Sequence, residues 1–157
     1  MEWGLAIGLF AAAIAAILPG MGSAKAVGLA GETAAGVCAE TPEASSKLTL
    51  LQLLPATQGI YGFVIAIVIM AKIGIMGGSG AAVPVDKALM LLAAALPIAL
   101  VGYFSAIAQG KCAAGSMLMV GRRPEMQGKG MMMTAMVETY AVLALLISFL
   151  CVNAIVL

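Results

Sequence analysis

The residues of this sequence that could do chemistry are one carboxylate and a few neutral oxygen groups in otherwise apolar segments. Glu138 is the only charged residue between Met131 and Leu157, a stretch long enough to cross a bilayer as one helix. A carboxylate near the bilayer centre costs about 2.5–3.5 kcal/mol on insertion scales, so it marks an ion or proton path by default. The alternative is a carboxyl group kept neutral or hydrogen-bonded between packed helices.

A second apolar segment contains the polar sequence LLPATQGIYGF, which Pro55 interrupts. Proline cannot donate a helical hydrogen bond, so the carbonyl of Leu51, four residues earlier, loses its backbone partner. The bulk of the ring can also turn neighbouring carbonyls aside. The carbonyls from Leu51 to Leu54 are therefore candidates for a free oxygen inside the membrane.

Hydroxyl and amide groups follow this proline. Thr57 and Tyr61 lie four residues apart on one helix face, and Gln58 adjoins Thr57. With Gln109 and Glu138 they form an all-oxygen set with one negative charge, which suits a hard monovalent cation. Taken singly, these groups could instead form interhelical hydrogen bonds with no transport role, and the tyrosine could belong to an interfacial belt.

The composition indicates an integral membrane protein. Of 157 residues, 63% are hydrophobic and 10% charged, and a soluble domain of this size could not bury so much apolar surface. A net charge of +1 provides no basic stripe for nucleic acid, and the absence of histidine removes the usual neutral-pH base. The N-terminus carries Glu2 and no basic region, so we expect no cleaved signal peptide.

The cysteines do not suggest a metal or redox centre. Cys38, Cys112 and Cys151 stand alone, without the spacing of metal ligands or of a redox pair. We interpret them as small apolar packing residues.

Four long apolar segments are predicted to be transmembrane helices, because a span in lipid must satisfy its own backbone groups. They cover approximately residues 3–38, 48–73, 85–120 and 131–157. The connections AETPEASSK, GIMGGSGAAVP and GRRPEMQGKG contain the glycine, proline and small polar residues typical of turns. The first and third segments exceed the length that a bilayer requires, so we expect them to protrude or tilt.

Basic residues predict the orientation. The first and third connections and the helices leading into them hold most of the positive charge, at Lys25, Lys47, Lys111, Arg122, Arg123 and Lys129. The second connection holds only Lys72 and Lys87. The positive-inside rule therefore predicts cytoplasmic first and third connections, with both termini outside the cytoplasm.

The two halves of the chain repeat each other. At an offset of 82 residues, many residues of the first half match identical residues of the second, among them Gly20–Gly102, Ser23–Ser105, Ala24–Ala106, Ala26–Ala108 and Gly28–Gly110. The same offset places Pro42-Glu43 on Pro124-Glu125. After a shift of three residues, Tyr61 matches Tyr140. The chain is therefore predicted to be a duplicated helical hairpin, with residues 1–75 in the first hairpin and 76–157 in the second.

The repeat isolates what differs between the halves. Gly59 occupies the position equivalent to Glu138, and Val27 the position equivalent to Gln109. Small residues recur every four positions on one face of each leading helix, which allows close packing, and we expect copies of the chain to meet there. The residues of these two faces are Gly20, Ala24 and Gly28 in the first half, and Gly102, Ala106 and Gly110 in the second.

The motifs LLPATQGIYGF, SAIAQGK and MVETYA, with the GSAKAVG repeat, resemble the proteolipid subunit of V/A-type rotary ATPases over essentially the whole chain. The resemblance implies a non-catalytic subunit of a rotor ring that turns against a stator arginine in lipid, with central-stalk subunits at the cytoplasmic loops. It also implies the sodium-binding branch of that family. The ion ligands would then be the Leu54 carbonyl, Thr57, Gln58, Gln109 and Glu138, with Tyr61 hydrogen-bonded to the carboxylate.

Three alternatives remain open. Protons could replace sodium as the ion that the same kind of ring carries. The chain could also be a self-contained four-helix transporter, although such exporters need an aromatic cavity and only 5% of this chain is aromatic. A purely structural pore or fusion proteolipid would make Glu138 dispensable.

Overall fold

A computed structural model describes residues 3–78 and 82–157, and its regular elements are helical. The helices are α1 (Trp3–Glu40), α2 (Ser45–Leu53), α3 (Thr57–Lys72), α4 (Val85–Arg122) and α5 (Gln127–Ala154). They form four spans long and apolar enough to cross a membrane, since α2 and α3 together make one span. The predicted all-α membrane architecture is thus confirmed. Glu2 and residues 79–81 of the second connection lie outside the described residues.

The two leading helices, α1 and α4, are longer than a bilayer core. Each has 38 residues, or about 57 Å at 1.5 Å per residue, against a hydrocarbon thickness of about 30 Å. Pro19 and Pro97 lie inside these helices without ending them. Each leading helix therefore extends beyond the hydrocarbon at one or both ends.

The first and third connections are shorter than the sequence predicts. Thr41 and Arg123 are the non-helical residues that separate α1 and α4 from the turns that follow, with nearly identical φ and ψ of −137°, 76° and −138°, 84°. Each precedes a proline, which disfavours helical backbone before it. Pro42 and Pro124 then open short 3₁₀ turns, where their missing N–H groups cost nothing.

The helices pair as two hairpins, α1 with α3 and α4 with α5, hereafter the first and second hairpins. The most extensive packing joins the leading helices α1 and α4, and each trailing helix lies mainly on its own leading helix. Lys47 Nζ donates to the Pro124 carbonyl at 3.3 Å, which brings the first and third connections together. At the opposite end, Lys72 Nζ donates to the Asn153 carbonyl at 3.0 Å.

Small residues allow α1 and α4 to approach closely. A β-carbon at Gly110 would lie 2.6 Å from the Cα of Ala26, and one at Gly102 would lie 3.0 Å from the Cβ of Pro19. The second-half face of Gly102, Ala106 and Gly110 is therefore buried inside the chain. The sequence analysis predicted that this face meets another copy of the chain, and for the second half that prediction is wrong.

The first-half face stays open. Ala24 and Gly28 are exposed and Gly20 is half-buried, and a β-carbon at either glycine would meet nothing within 4 Å. The two equivalent faces thus have different surroundings within one chain.

Two apolar clusters fill the bundle, one near each end. One is built around Ile65, Ile69, Leu91, Ile98 and Val152. The other, toward the first and third connections, contains Leu48, Leu51, Met117 and Val120. The segments between them along each helix carry most of the buried polar side chains.

We expect Gly110→Ala to destabilise the chain, because its methyl group would overlap the backbone of α1. The cost should be about 1–3 kcal/mol, as for other overpacked cores. Gly115→Ala is the matched control, since a β-carbon there meets open space and a helical alanine gains about 0.5–1 kcal/mol over glycine. Unfolding in mixed detergent micelles measures both. Equal stability of the two variants would contradict the close packing.

Candidate functional site

The turn around Pro55 positions the first groups of the site. Leu54, Pro55 and Ala56 form a 3₁₀ turn that divides the second span, and α3 begins at Thr57. The Thr57 backbone N–H and its hydroxyl both donate to the Leu54 carbonyl, the hydroxyl at 3.0 Å. The carbonyl expected to be free is thus bound by Thr57. The hydroxyl keeps its oxygen lone pairs for another partner.

Two buried glutamines form a hydrogen-bonded chain across three helices. Gln58 on α3 donates through Nε2 to Gln109 Oε1 on α4, and Gln109 Nε2 donates to the Thr134 carbonyl on α5 at 3.1 Å. Both glutamines are fully buried. Because each amide nitrogen has an acceptor, the orientation of both amides is set. The Gln58 Oε1 atom then lies 3.4 Å from the Thr57 hydroxyl oxygen.

The carboxylate meets the opposite hairpin through a tyrosine. The Tyr61 hydroxyl on α3 donates to Glu138 Oε1 on α5. Both side chains are half-buried between their helices. Six residues that the sequence and the family resemblance single out thus lie in two hydrogen-bonded groups between α3, α4 and α5, one around the two glutamines and one at the Tyr61–Glu138 pair. The residues are Leu54, Thr57, Gln58, Tyr61, Gln109 and Glu138.

Other polar groups hold α4 against α5 around this place. Ser105 Oγ donates to the Val137 carbonyl at 3.1 Å, and Ser116 Oγ donates to the Gly130 carbonyl at 3.2 Å. Thr134 also contacts Ser116, with 3.4 Å between their hydroxyl oxygens. Sequence reasoning did not assign these residues to the site. Ser105 had a signal, its match to Ser23 in the repeat, whereas the Thr134 contact uses a backbone carbonyl that no sequence motif reveals.

The arrangement can hold a small cation. It offers carboxylate, hydroxyl, amide and backbone oxygens, and these are ligands that hard cations prefer. Among the residues that the structure describes, no buried side-chain nitrogen or oxygen lacks a hydrogen-bond partner. Each amide nitrogen donates to a protein acceptor, so the binding capacity that remains for a cation is in the oxygen lone pairs of these groups.

The equivalent place in the first hairpin is filled differently. The Gly59 N–H donates to Ser23 Oγ at 2.9 Å, and a β-carbon at Gly59 would lie 3.3 Å from the Ser23 side chain. Val27, where the second half has Gln109, is half-buried. Neither a carboxylate nor an amide is present at this position. The polar set therefore occurs once per chain in the described structure.

Other reactive residues lie outside the site. Lys25 donates to the Tyr103 hydroxyl at 3.2 Å and belongs to an exposed contact between α1 and α4. The three cysteines are free. Within residues 3–78 and 82–157, no cluster of histidine, cysteine, aspartate and glutamate could hold a metal ion.

Four membrane-spanning helices in two repeated hairpins, around one partnered carboxylate, define a multi-pass membrane proteolipid with a single intramembrane polar site. The family model of the ATP synthase C-subunit matches the chain twice, over residues 10–69 and 92–151. The chain therefore belongs to the ATP synthase C-subunit family. The two matched segments start 82 residues apart, so the duplication and its offset are confirmed. One segment falls in each predicted hairpin, and the boundary at residue 75 stays a prediction.

Two relatives resemble the chain over most of its length. The V-type sodium ATPase subunit K of Enterococcus hirae is 46% identical over 149 residues, which cover 95% of this chain and 92% of that protein. The A-type ATP synthase subunit K of Methanocaldococcus jannaschii is 36% identical over 142 residues, 90% of this chain and 61% of that protein. Both similarities extend across the two hairpins.

We expect Tyr61→Phe to make Glu138 react faster with a hydrophobic carbodiimide, which attacks the protonated carboxyl. The Tyr61 hydroxyl donates to the Glu138 carboxylate, and a hydrogen bond to a charged group contributes about 1.5–3 kcal/mol. Labelling at fixed pH, without added cations, should accelerate about tenfold. Tyr103→Phe is the matched control, because its hydroxyl contacts Lys25 instead. An unchanged rate in Tyr61→Phe would show that this bond does not stabilise the carboxylate.

Proposed function

We propose that this chain is a non-catalytic subunit of a membrane rotor ring in a V/A-type rotary ATPase, and that each copy carries one sodium ion on Glu138. ATP hydrolysis or synthesis would take place in soluble partner subunits. The observation that carries the proposal is the hydrogen bond from the Tyr61 hydroxyl to an intramembrane carboxylate, with the linked Thr57, Gln58 and Gln109 side chains on the same three helices. Membership of the ATP synthase C-subunit family supports it independently.

Sodium fits the polar set better than a proton does. A proton site needs only a carboxyl group whose burial favours its neutral form. Such a site has no use for Thr57, Gln58 and Gln109 close to Glu138, and burying polar groups costs free energy unless they are bound. A dehydrated cation uses several oxygens and one charge to replace its hydration. The name of the Enterococcus hirae relative, a V-type sodium ATPase subunit, supports the same ion.

Each residue has a distinct task in this proposal. Glu138 supplies the charge, and the Leu54 carbonyl, Thr57, Gln58 and Gln109 supply neutral oxygens. The Thr134 carbonyl sets the direction of the Gln109 amide, and through it that of Gln58. Tyr61 holds one carboxylate oxygen, which leaves the other free for the ion. At low pH a proton would compete by neutralising Glu138.

Assembly partners follow from the same proposal. Copies of the chain would form the ring, with α1 and α4 in the inner layer and α3 and α5 outside, where Glu138 can meet the lipid and a stator arginine. The first and third connections, with Lys47, Arg122 and Arg123 in or beside them, would face the central-stalk subunits in the cytoplasm. Both termini would then lie outside the cytoplasm.

We expect sodium to slow carbodiimide labelling of Glu138 in the purified, detergent-solubilised oligomer at fixed pH. Bound sodium keeps the carboxylate charged and occupied, and only the protonated carboxyl reacts. Gln109→Ala should raise the sodium concentration for half-protection about tenfold or more, because a lost hydrogen-bonding group next to a charge costs about 1.5–3 kcal/mol.

Gln52→Ala is the matched control, since this amide lies on α2 outside the site. Potassium at equal ionic strength controls for screening. Labelling that is indifferent to sodium across the accessible pH range would leave protons as the coupled ion. Detergent-solubilised protein that is only a dimer would favour the self-contained transporter instead. Full ion transport by a reconstituted Glu138→Gln variant would favour a structural pore.

We also expect one bound sodium ion per chain. Gly59 has no side chain at the position of the second carboxylate, and its backbone N–H already donates to Ser23 Oγ. Native mass spectrometry of the purified ring, combined with sodium analysis of the same sample, gives the ratio. Two ions per chain would overturn the assignment of one site.

A further inference from the structure

The contact between the two hairpins inside the chain uses a different face of each leading helix. On α1 the contacting face contains Pro19, Gly22 and Ala26. On α4 it contains Gly102, Ala106 and Gly110. A β-carbon at Gly22 would lie 3.2 Å from the Cβ of Ala106, so the two backbones almost touch. The two faces are not equivalent in the repeat, so the hairpins meet front to back. Each hairpin therefore has two different packing faces, here called edges, and uses one of them inside the chain.

Because the hairpins are repeats, each one also carries the equivalent of the edge through which the other hairpin makes the intrachain contact. At the offset of 82, the unused edge of the first hairpin consists of Gly20, Ala24 and Gly28. The unused edge of the second hairpin consists of Val101, Phe104 and Ala108. This second edge is an open apolar groove of about 480 Å³ between α4 and α5, also lined by Val137 and Tyr140. Phe104 is 66% exposed there.

A second copy of the chain fits these edges better than lipid does. Exposure alone cannot decide, since the whole outer surface of a membrane protein is apolar. Gly102 and Gly110 are required inside the chain, because a β-carbon at either would crowd α1. Their counterparts Gly20 and Gly28 are glycines with open space around them. Such residues serve close approach of another backbone, which fluid acyl chains do not need.

We propose that the α4–α5 groove of one copy receives the first hairpin of the next copy in the register of the intrachain contact, so that Tyr140 lies beside Gly59 of that next copy. The inference rests on the proposed ring and specifies how its subunits meet. A front-to-back contact of this kind is heterologous, and it closes into a ring when its rotation divides the circle.

The register pairs apolar groups where the intrachain contact has polar ones. Inside the chain, Gln58 meets Gln109 and Lys25 meets Tyr103. By the offsets of the repeat, the counterpart pairs between copies are Val137 with Val27 and Ile107 with Met21. Each polar pair is replaced on both sides at once, so neither edge would bury an amide or an ammonium against an apolar partner.

Tyr140 is the polar residue that this interface has to accommodate. Its counterpart Tyr61 donates to Glu138, whereas Tyr140 is 66% exposed in the single chain. In the proposed register its ring enters the space that Gly59 leaves without a side chain. Ser23 lies there with its Oγ already accepting the Gly59 N–H, and a serine oxygen can accept a second hydrogen bond. The Tyr140 hydroxyl would donate to it, as a buried tyrosine requires.

Disulfide cross-linking tests the register. By the offset of 82, the intrachain contact of Gly22 with Ala106 corresponds to a contact between Phe104 of one copy and Ala24 of the next copy. In the intrachain contact, the distance between a β-carbon at Gly22 and the Cβ of Ala106 is 3.2 Å, close to the 3.5–4.5 Å between the β-carbons of a disulfide. We expect Ala24→Cys/Phe104→Cys, with the three native cysteines replaced by serine, to give a covalent ladder of subunits after mild oxidation. Each single variant should remain a monomer on a denaturing gel.

Ala24→Cys/Leu146→Cys is the matched control, because Leu146 lies exposed on α5 away from the groove. An equal ladder in the control would mean random collisions and would overturn the register. A reduced protein that still forms a sodium-protected ring but gives no ladder would also overturn the register and leave the proposed function intact. Loss of the ring and of sodium protection in the wild-type chain would instead overturn the proposed function.

A double-mutant cycle tests Tyr140 without cysteines. Gly59→Leu should fill the space for Tyr140 and lower the temperature at which the ring dissociates in detergent. Adding Tyr140→Ala to the same chain should recover at least half of that drop. Tyr103→Ala is the control partner, and its effect should simply add to that of Gly59→Leu. Additive effects for the Gly59 and Tyr140 pair would rule out their contact.

Discussion

The structure depends on the cost of keeping a carboxylate inside an apolar bundle. Removing an ionised group from water costs several kcal/mol unless charges or hydrogen bonds compensate. Glu138 obtains its compensation from Tyr61, which belongs to the other hairpin. The charge of the second hairpin is therefore stabilised by the first, and neither hairpin contains the complete polar set. The site exists only where the two hairpins are packed together.

Close packing of the leading helices makes this arrangement possible. With side chains at Gly22 and Gly110, α1 and α4 could not approach as they do, because added β-carbons would lie within 3 Å of the opposite backbone. The contact brings α3 within reach of α4 and α5, so Gln58 and Gln109 can pair. Apolar clusters on both sides of this level keep water from the amides and make each hydrogen bond count for more.

Sequence periodicity and composition were sufficient to predict the four spans, the duplication and the polar residues that could bind an ion. They were not sufficient for the surroundings of those residues. The stripe at Gly102 and Gly110 is identical in pattern to that at Gly20 and Gly28, yet one pair is buried in the chain and the other is open. Sequence spacing records that a face can pack closely but not which partner it meets. Similarly, Thr134 contributes through its carbonyl, which every residue has.

The division of polar groups between the hairpins has a physical logic. A carboxylate at position 59 without an amide at position 27 would be a buried charge lacking one of its partners. An amide at position 27 without the carboxylate would leave polar atoms desolvated without an interaction that compensates the cost. Glycine at 59 and valine at 27 remove both costs together, and Ser23 satisfies the local backbone. A duplicated site of this kind is stable when the polar set is complete or absent, and unstable between the two.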